Sequence, residues 1–323
     1  MPFRLQKSVV RLAIVIVNYR TPGLTLDAVR SVHVQIGSKD RIYVVDGGSP
    51  DNSVSVLEPA LAAMDQVEFL PLNENRGFAF GNNQAIRRAL ADSAPPDLIL
   101  FLNPDTIARE SAIESLVSFM QSHPNVGLAG SRLENPDGTT QWAAKRFHTF
   151  FSELDDAVSF GPVSRLLNRW NISYPEQATP HPTDWVPGAA LIVRREVFEK
   201  IGLLDESYFL YFEEVDFCLR ARRAGFSCWY VPQSRVVHLV GQSTGVTSAR
   251  PGRRPRYWFE SRARFWLTHY GRLHKLTCDA AWTGGRMFFH LRCLFQGKRN
   301  HFPPHLWRDF VRFNFGSRDA WKL

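Results

Sequence analysis

Between residues 12 and 129, short β-branched apolar runs alternate with segments of helical spacing, and each run stops at a cluster of turn-forming polar residues. The runs at 12–17, 41–45, 67–70, 98–102 and 126–129 are too short for helices and too continuously apolar for a sheet wetted on one face. The stretches at 24–34, 53–64, 82–91 and 111–122 carry apolar residues at helical spacing. Strands that alternate with helices predict an α/β fold, an open and mostly parallel sheet covered on both faces. In such a sheet a ligand sits beyond the carboxyl ends of the strands. Three polar clusters fall there: Asn18 to Thr21, Asp46 to Asn52 and Asn103 to Thr106.

No apolar run approaches the ~20 residues that span a bilayer. The opening Met-Pro-Phe-Arg-Leu-Gln-Lys has no apolar stretch or small-residue cleavage site of a secretory signal. Its four cysteines form no CxxC pair. These features lead to the expectation of a cytoplasmic, reduced protein. The segment 152–182 has weak periodicity and several prolines, and reads as a mobile excursion.

Charge divides the chain more sharply than hydropathy does. The last 74 residues hold 16 Lys+Arg against 4 Asp+Glu, a net of +12, together with 16 aromatic residues; the other 249 carry a net of −4. Aromatics and arginines recur there at helical spacing, so a boundary is expected near residue 246, separating a domain at 10–245 from a helical extension at 246–323. Three accounts fit a basic aromatic extension: nucleic-acid stacking, ordinary packing with a solvated arginine face, or an interfacial anchor on anionic lipid. The expectation taken forward is an anionic membrane surface and no nucleic-acid partner.

Neither a GxGxxG nor a GxxxxGK[ST] motif is present, so the common phosphate cradles are absent. Asn103-Pro104-Asp105 could place one carboxylate on a hard divalent ion, or could simply turn the chain. Glu213, Glu214 and Asp216 stand where an aromatic run gives way to an amphipathic helix. They suit the helix dipole, yet a carboxylate desolvated by such neighbours also suits a general base. His238, after the short strand 234–237, is a metal ligand or a capped core residue.

These clusters occur in one order: I-V-I-V-N-Y-R-T, V-V-D-G-G-S-P-D-N-S, N-E-N-R-G-F-A-F-G-N-N, F-L-N-P-D-T, W-V-P-G-A-A-L-I-V-R-R, the Glu213-Glu214 run and V-V-H-L-V-G-Q-S. The set resembles the family 2 glycosyltransferases, particularly their rhamnosyltransferase-like bacterial branch, over about residues 10–245. The segment 256–271 is similar to the stretch after that domain in many members. The resemblance implies a GT-A fold and an inverting, metal-dependent transfer from a nucleotide-sugar, UDP- or dTDP-linked, to a glycan or lipid-linked glycan in bacterial cell-surface polysaccharide synthesis. That places the enzyme peripherally at the inner face of the plasma membrane.

Residue by residue, the resemblance puts Thr21, Asp46, Gly77, Asn83 and Asn103 at the nucleotide. Asp105 and His238 would ligate Mg²⁺ or Mn²⁺. Trp185, Gly188 and Asp216 would lie near the donor sugar or acceptor, with Glu214, seconded by Glu213, as the base. Two departures stand out: Gly47-Gly48-Ser49-Pro50-Asp51 replaces the usual middle of the second loop, and Glu214 stands where Asp is usual. The competing expectation is a scaffold of the same fold that has lost catalysis and binds polysaccharide or lipid.

Overall fold

A computed structural model describes residues 10–241, 252–297, 300 and 302–323. The expected boundary near 246 and the Gln242–Ser243 end of the last motif lie outside the described residues. The N-terminal half alternates as its apolar runs predict: β1 (Leu12–Asn18), α1 (Pro22–His33), β2 (Arg41–Asp46), α2 (Ser53–Ala62), β3 (Val67–Pro71), α3 (Phe78–Leu90) and β4 (Leu98–Leu102). There follow β5 (Thr106–Ala108), α4 (Ala112–Ser122), β6 (Val126–Glu134), β7 (Thr140–Gln141), α5 (Phe150–Val158), α6 (Gly161–Leu166) and β8 (His181–Thr183). Next come β9 (Ala190–Arg194), α7 (Arg195–Ile201), α8 (Glu213–Arg223), β10 (Ser227–His238), α9 (Arg256–Gln296) and α10 (Leu306–Gly316).

The strands form one mixed sheet in the order β3-β2-β1-β4-β9-β6-β10-β5, with β7 on β6 and β8 on β10. Strands β3, β2, β1 and β4 are parallel. β9 runs antiparallel to both β4 and β6, whereas β6 and β10 are parallel to each other. The reversal of β9 matters for the site. It brings the start of β9 (Ala190 opposite Leu102) to the edge where β1, β2 and β4 end. The last residues of β10 reach the same edge, with His238 opposite Thr106.

Alternate residues of each central strand enter opposite cores. Ile14, Ile16, Val44 and Leu100 pack under α1, α2 and α4. Ala13, Val15, Val45 and Phe101 face α3, α7 and α8. Phe265, Trp266 and Cys278 of α9 belong to that second core.

The extension is therefore packed, and its aromatics are largely structural. Trp282 stacks on Phe310 at 4.0 Å. The indoles of Trp307 and Trp321 donate to Thr283 O and Asn314 O. Trp258 packs against the third apolar cluster, between α5, α9 and α10. Nor are its basic residues a uniformly solvated face: Arg262, Lys275 and Arg286 are buried. α9 is broken at Gly271, whose φ of 81° no helix contains.

The segment 152–182 corrects the expectation of a mobile excursion. It holds most of α5, all of α6, a 3₁₀ turn at Asn168–Trp170 and the start of β8. Its periodicity was faint because α5 is only two and a half turns long, and its inward positions include Glu153, a charged residue. Glu153 is buried against Arg262 of α9, a partner 109 residues away. α3 also starts earlier than expected, at Phe78, because Gly77 supplies the turn into it. Among the described residues, no helix is long and apolar enough to cross a membrane.

Candidate active site

Three strand ends meet at one edge of the sheet. At the end of β1, Asn18 is fully buried and organises the first two loops. Its Nδ2 donates to Asp46 Oδ2 at 2.6 Å. Its Oδ1 accepts from Thr25 Oγ1 at 2.8 Å and from the Thr21 amide and hydroxyl at 3.2 Å. Asp46 Oδ1 accepts from the Ser49 amide at 2.8 Å. Thr21 and Asp46 are thus brought together by one amide side chain that neutralises no charge but fixes both orientations.

At the end of β4, the Asn103 amide donates to Ala189 O, and Thr106 Oγ1 donates to Asn103 O at 2.7 Å, closing a tight turn. That turn directs the buried Asp105 carboxylate at the end of β10. His238 Nε2 lies 3.4 Å from Asp105 Oδ1 and 3.3 Å from Asn103 Nδ2. Two donors at this spacing match the ~3 Å edge of an octahedron with ~2.1 Å bonds, the geometry of Mg²⁺. Among the described residues no third His, Cys, Asp or Glu joins them. The pair suits a cation that takes its other ligands from phosphate and water.

The third component is the loop into α8. Tyr211 and Phe212 both have left-handed backbones, at φ 73° and 69°. Two successive aromatic residues in that region are strained and persist only where packing enforces them. The result is that Glu213 and Glu214 form the first turn of α8 among aromatic neighbours. Glu213 is buried, Glu214 partly accessible, and one oxygen of each, Oε2, has no hydrogen-bond partner. Burial pushes the Glu213 carboxyl well up, and the Glu214 charge pushes it further. Burial also raises Glu214, held back by nearby backbone amides and by His148.

Two glycines permit this assembly. A Cβ on Gly77, whose φ is 93°, would meet Phe209 O at 2.0 Å, where Phe78 N now donates to that same oxygen at 2.9 Å. A Cβ on Gly188 would lie 3.3 Å from the Phe78 ring and 4.0 Å from Glu214 Cβ. The start of α3, the approach to β9 and the start of α8 therefore share one small volume.

Residues 13–202 match the family model "Glycosyl transferase family 2". This chain belongs to that family. It is 29% identical over 213 residues to the N-acetylglucosaminyl-diphospho-decaprenol L-rhamnosyltransferase of Mycobacterium tuberculosis, covering 63% of this chain and 68% of the relative. It is 28% identical over 168 residues to rhamnosyltransferase WbbL of Escherichia coli K12, covering 51% and 61%. Among solved structures, mannosyltransferase PcManGT of Pyrobaculum calidifontis, in complex with GDP-Man and Mn²⁺, superposes with a TM-score of 0.57. The identity is 15%, over 90% of this chain and 76% of that one. The architecture is the GT-A fold that the motif order implies.

Three residues that the family pattern nominated have side chains engaged by the fold of this glycosyltransferase. Asn83 is fully buried; its Nδ2 donates to Leu204 O and Glu206 Oε1, both at 2.9 Å, fastening α3 to the loop before α8. Asp216 accepts from Arg220 Nε at 2.8 Å and pairs with His269 Nε2 at 2.7 Å, tying α8 to α9. Trp185 donates through its indole to Arg146 O at 2.8 Å and stacks on His148.

Asn18 was marked in the sequence only as the start of a polar cluster at the ligand edge, and His148 was not singled out at all. No sequence signal pointed to His148: it lies in the irregular stretch after β7, and only the fold puts its ring 5.2 Å from Phe212 and its Nδ1 3.4 Å from Glu153.

Proposed function

We propose that this family 2 glycosyltransferase transfers a sugar, with inversion at the anomeric carbon, from a nucleotide-sugar to a hydroxyl of a lipid-linked glycan. The carrying observation is the convergence of two chemically distinct groups on one sheet edge: the Asp105–His238 pair and the Glu213–Glu214 pair, in which one oxygen of each carboxyl has no hydrogen-bond partner. Asp46, Thr21, Asn103 and the backbone at Gly77 hold the nucleotide, while Asn83 fixes α3 behind it. Asp105 and His238 would hold Mg²⁺ or Mn²⁺, which supplies charge neutralisation for the departing diphosphate.

Glu214 is the base, because it is the more accessible of the pair. It takes the proton as the acceptor oxygen bonds to the anomeric carbon and the bond from that carbon to the diphosphate oxygen breaks. Glu213, buried behind it, raises no competing negative charge once it is protonated. Trp185 and Gly188 border the sugar or acceptor, and Asp216 acts indirectly by anchoring α8. Alignment of both substrates for in-line displacement supplies much of the rate.

The relatives' names support the acceptor and donor classes. The M. tuberculosis relative acts on a diphospho-decaprenol-linked sugar, and dTDP-rhamnosyl transferase RfbF of Shigella flexneri is 25% identical over 191 residues. The setting is bacterial cell-surface polysaccharide synthesis at the cytoplasmic face of the membrane. The reading gives membrane contact to the part of α9 after the Gly271 break rather than to its tryptophans. There Leu273, Met287, Leu291, Leu294 and Phe295 are exposed, an interfacial apolar surface within a basic segment.

The direct test incubates the protein with UDP-, dTDP- and GDP-sugars, Mn²⁺ and a polyprenyl-diphosphate-linked acceptor. NMR of the product then reads the new anomeric configuration. One donor class giving the inverted linkage supports the proposal. Retention overturns the mechanism, and absence of product with every donor overturns the activity.

A further inference from the structure

A cavity of about 640 Å³ lies between the start of α9 and the end of α10, away from the metal pair and the acidic pair. Its wall carries Arg253, Arg254, Arg256, Arg312 and Arg318, against one lining carboxylate, Asp309. Phe259 and Phe313, both buried, form an apolar floor. Some of the charge is already compensated. Asp309 takes both arms of Arg253 at 2.6 and 2.8 Å, and Arg256 is shared between Glu260 and Asp319. Arg254 lies over the Trp258 ring at 5.4 Å. Among the described residues, Arg254, Arg312 and Arg318 have no carboxylate partner. Guanidinium groups facing a shared space, unpaired and backed by aromatic rings, match the fork geometry with which arginine binds phosphate oxygens.

The helix turn that carries part of the cavity wall also touches the loop before the acidic pair. Tyr257, next to Arg256, packs on Phe209 at 5.2 Å and stacks on Tyr211 at 6.1 Å. Ser261 Oγ donates to Leu210 O at 2.9 Å. The loop that delivers Glu213 and Glu214 therefore rests on the helix turn that begins the arginine wall.

We infer that the arginine cavity binds the diphosphate of a polyprenyl-linked acceptor, separately from the donor diphosphate at Asp105 and His238. This inference rests on the lipid-linked acceptor reading above. The volume lies within the ~300–1,000 Å³ of small-ligand sites, enough for a diphosphate with the first groups on either side. The cationic wall meets the phosphates and the aromatic floor meets the start of the apolar chain.

The test uses full-length protein and phosphatidylglycerol vesicles with and without a polyprenyl diphosphate, adjusted to equal surface charge. Wild type and Arg312→Ala/Arg318→Ala are compared by co-sedimentation. Both arginines are exposed, so the substitution removes charge without opening the core. The polyprenyl diphosphate is expected to tighten wild-type binding ~10-fold or more, about one decade of affinity. The variant is expected to lose that gain while keeping its binding to phosphatidylglycerol alone. Inorganic pyrophosphate should displace the added fraction from wild type, which identifies the diphosphate as the recognised group.

Equal tightening of both proteins overturns the cavity assignment, as does no tightening of wild type. Release of nucleoside diphosphate from a nucleotide-sugar, measured alongside, separates this inference from the transferase proposal. Turnover without lipid-diphosphate recognition defeats only the cavity. Recognition that depends on Arg312 and Arg318 without turnover defeats only the transferase. If the double variant does not fold, Arg318→Gln alone is compared in the same assay, with the same two outcomes.

Discussion

Replacing Arg262 with Met tests whether the C-terminal helices are part of one cooperative fold with the catalytic sheet. Arg262 is buried; it donates from Nε to Glu153 Oε2 at 3.0 Å and from Nη1 to Asp279 Oδ1 at 2.6 Å. Asp279 is shared with Lys275, which donates at 2.6 Å and reaches Asn314 of α10 at 3.1 Å. Methionine fills much of the volume but leaves the Glu153 carboxylate without its cation. Breaking such a buried pair from one side costs about 3–5 kcal/mol.

If the whole chain unfolds as one unit, an unfolding entropy of ~2 cal/mol/K per residue turns that loss into a Tm decrease of roughly 4–7 °C. The pH dependence supplies a second reading. Burial would raise the Glu153 carboxyl, but the charges and hydrogen bonds of Arg262 and His148 outweigh it and hold it at about 2, against an ordinary 4.5. Its contribution is therefore complete above about 4.5 and is lost as the pH falls towards 2. The wild-type advantage over Arg262→Met should narrow over that window. Differential scanning calorimetry reads both effects. A Tm change under ~1 °C, or separate transitions for the sheet and the helices, would refute the reasoning.

Glu214→Gln should keep nucleoside diphosphate affinity and lose turnover by ~10²-fold or more. The wild-type rate should rise with pH through an apparent pKa above the usual carboxylate range, because the base works only when ionised and burial raises it. A dead Glu213→Gln beside an active Glu214→Gln would reverse the roles. Gly77→Ala should cost about 2–4 kcal/mol, from a backbone conformation nearly confined to glycine and a Cβ driven into Phe209 O; an unchanged denaturant midpoint would contradict this. Leu291→Gln/Leu294→Gln should weaken co-sedimentation with phosphatidylglycerol vesicles without changing Tm, whereas Trp282→Ala should lower Tm, since Trp282 is core and Leu294 is exposed.

The sequence carried the N-terminal half of the fold well because β1, β2 and β4 are buried on both faces. Their continuous apolar runs announce parallel strands, and their polar endings mark the ligand edge. Other features depended on contacts distant in sequence. Glu153 looks like a surface acid until Arg262 is beside it, and Asp216 looks like a sugar or acceptor contact until His269 and Arg220 claim its carboxylate. The aromatic residues of the extension were ambiguous for a related reason. Aromatics at helical spacing fit a membrane interface or a protein core equally well, and only α10 and α5 decide for the core. The reversal of β9, which brings Gly188 beside Glu214, is likewise invisible in a run of apolar residues that reads the same in either direction.

Calorimetric titration of UDP and dTDP, with and without Mn²⁺, on wild type and Asp105→Ala bears most directly on the proposal that Asp105 and His238 hold a divalent ion with the donor diphosphate. For the cognate nucleotide, Mn²⁺ should tighten binding to wild type by ~10-fold or more, a coupling of about 1.4 kcal/mol. Asp105→Ala should bind equally weakly in both conditions while keeping the wild-type thermal midpoint. Metal-independent binding to wild type, or undiminished coupling in Asp105→Ala, would contradict the account.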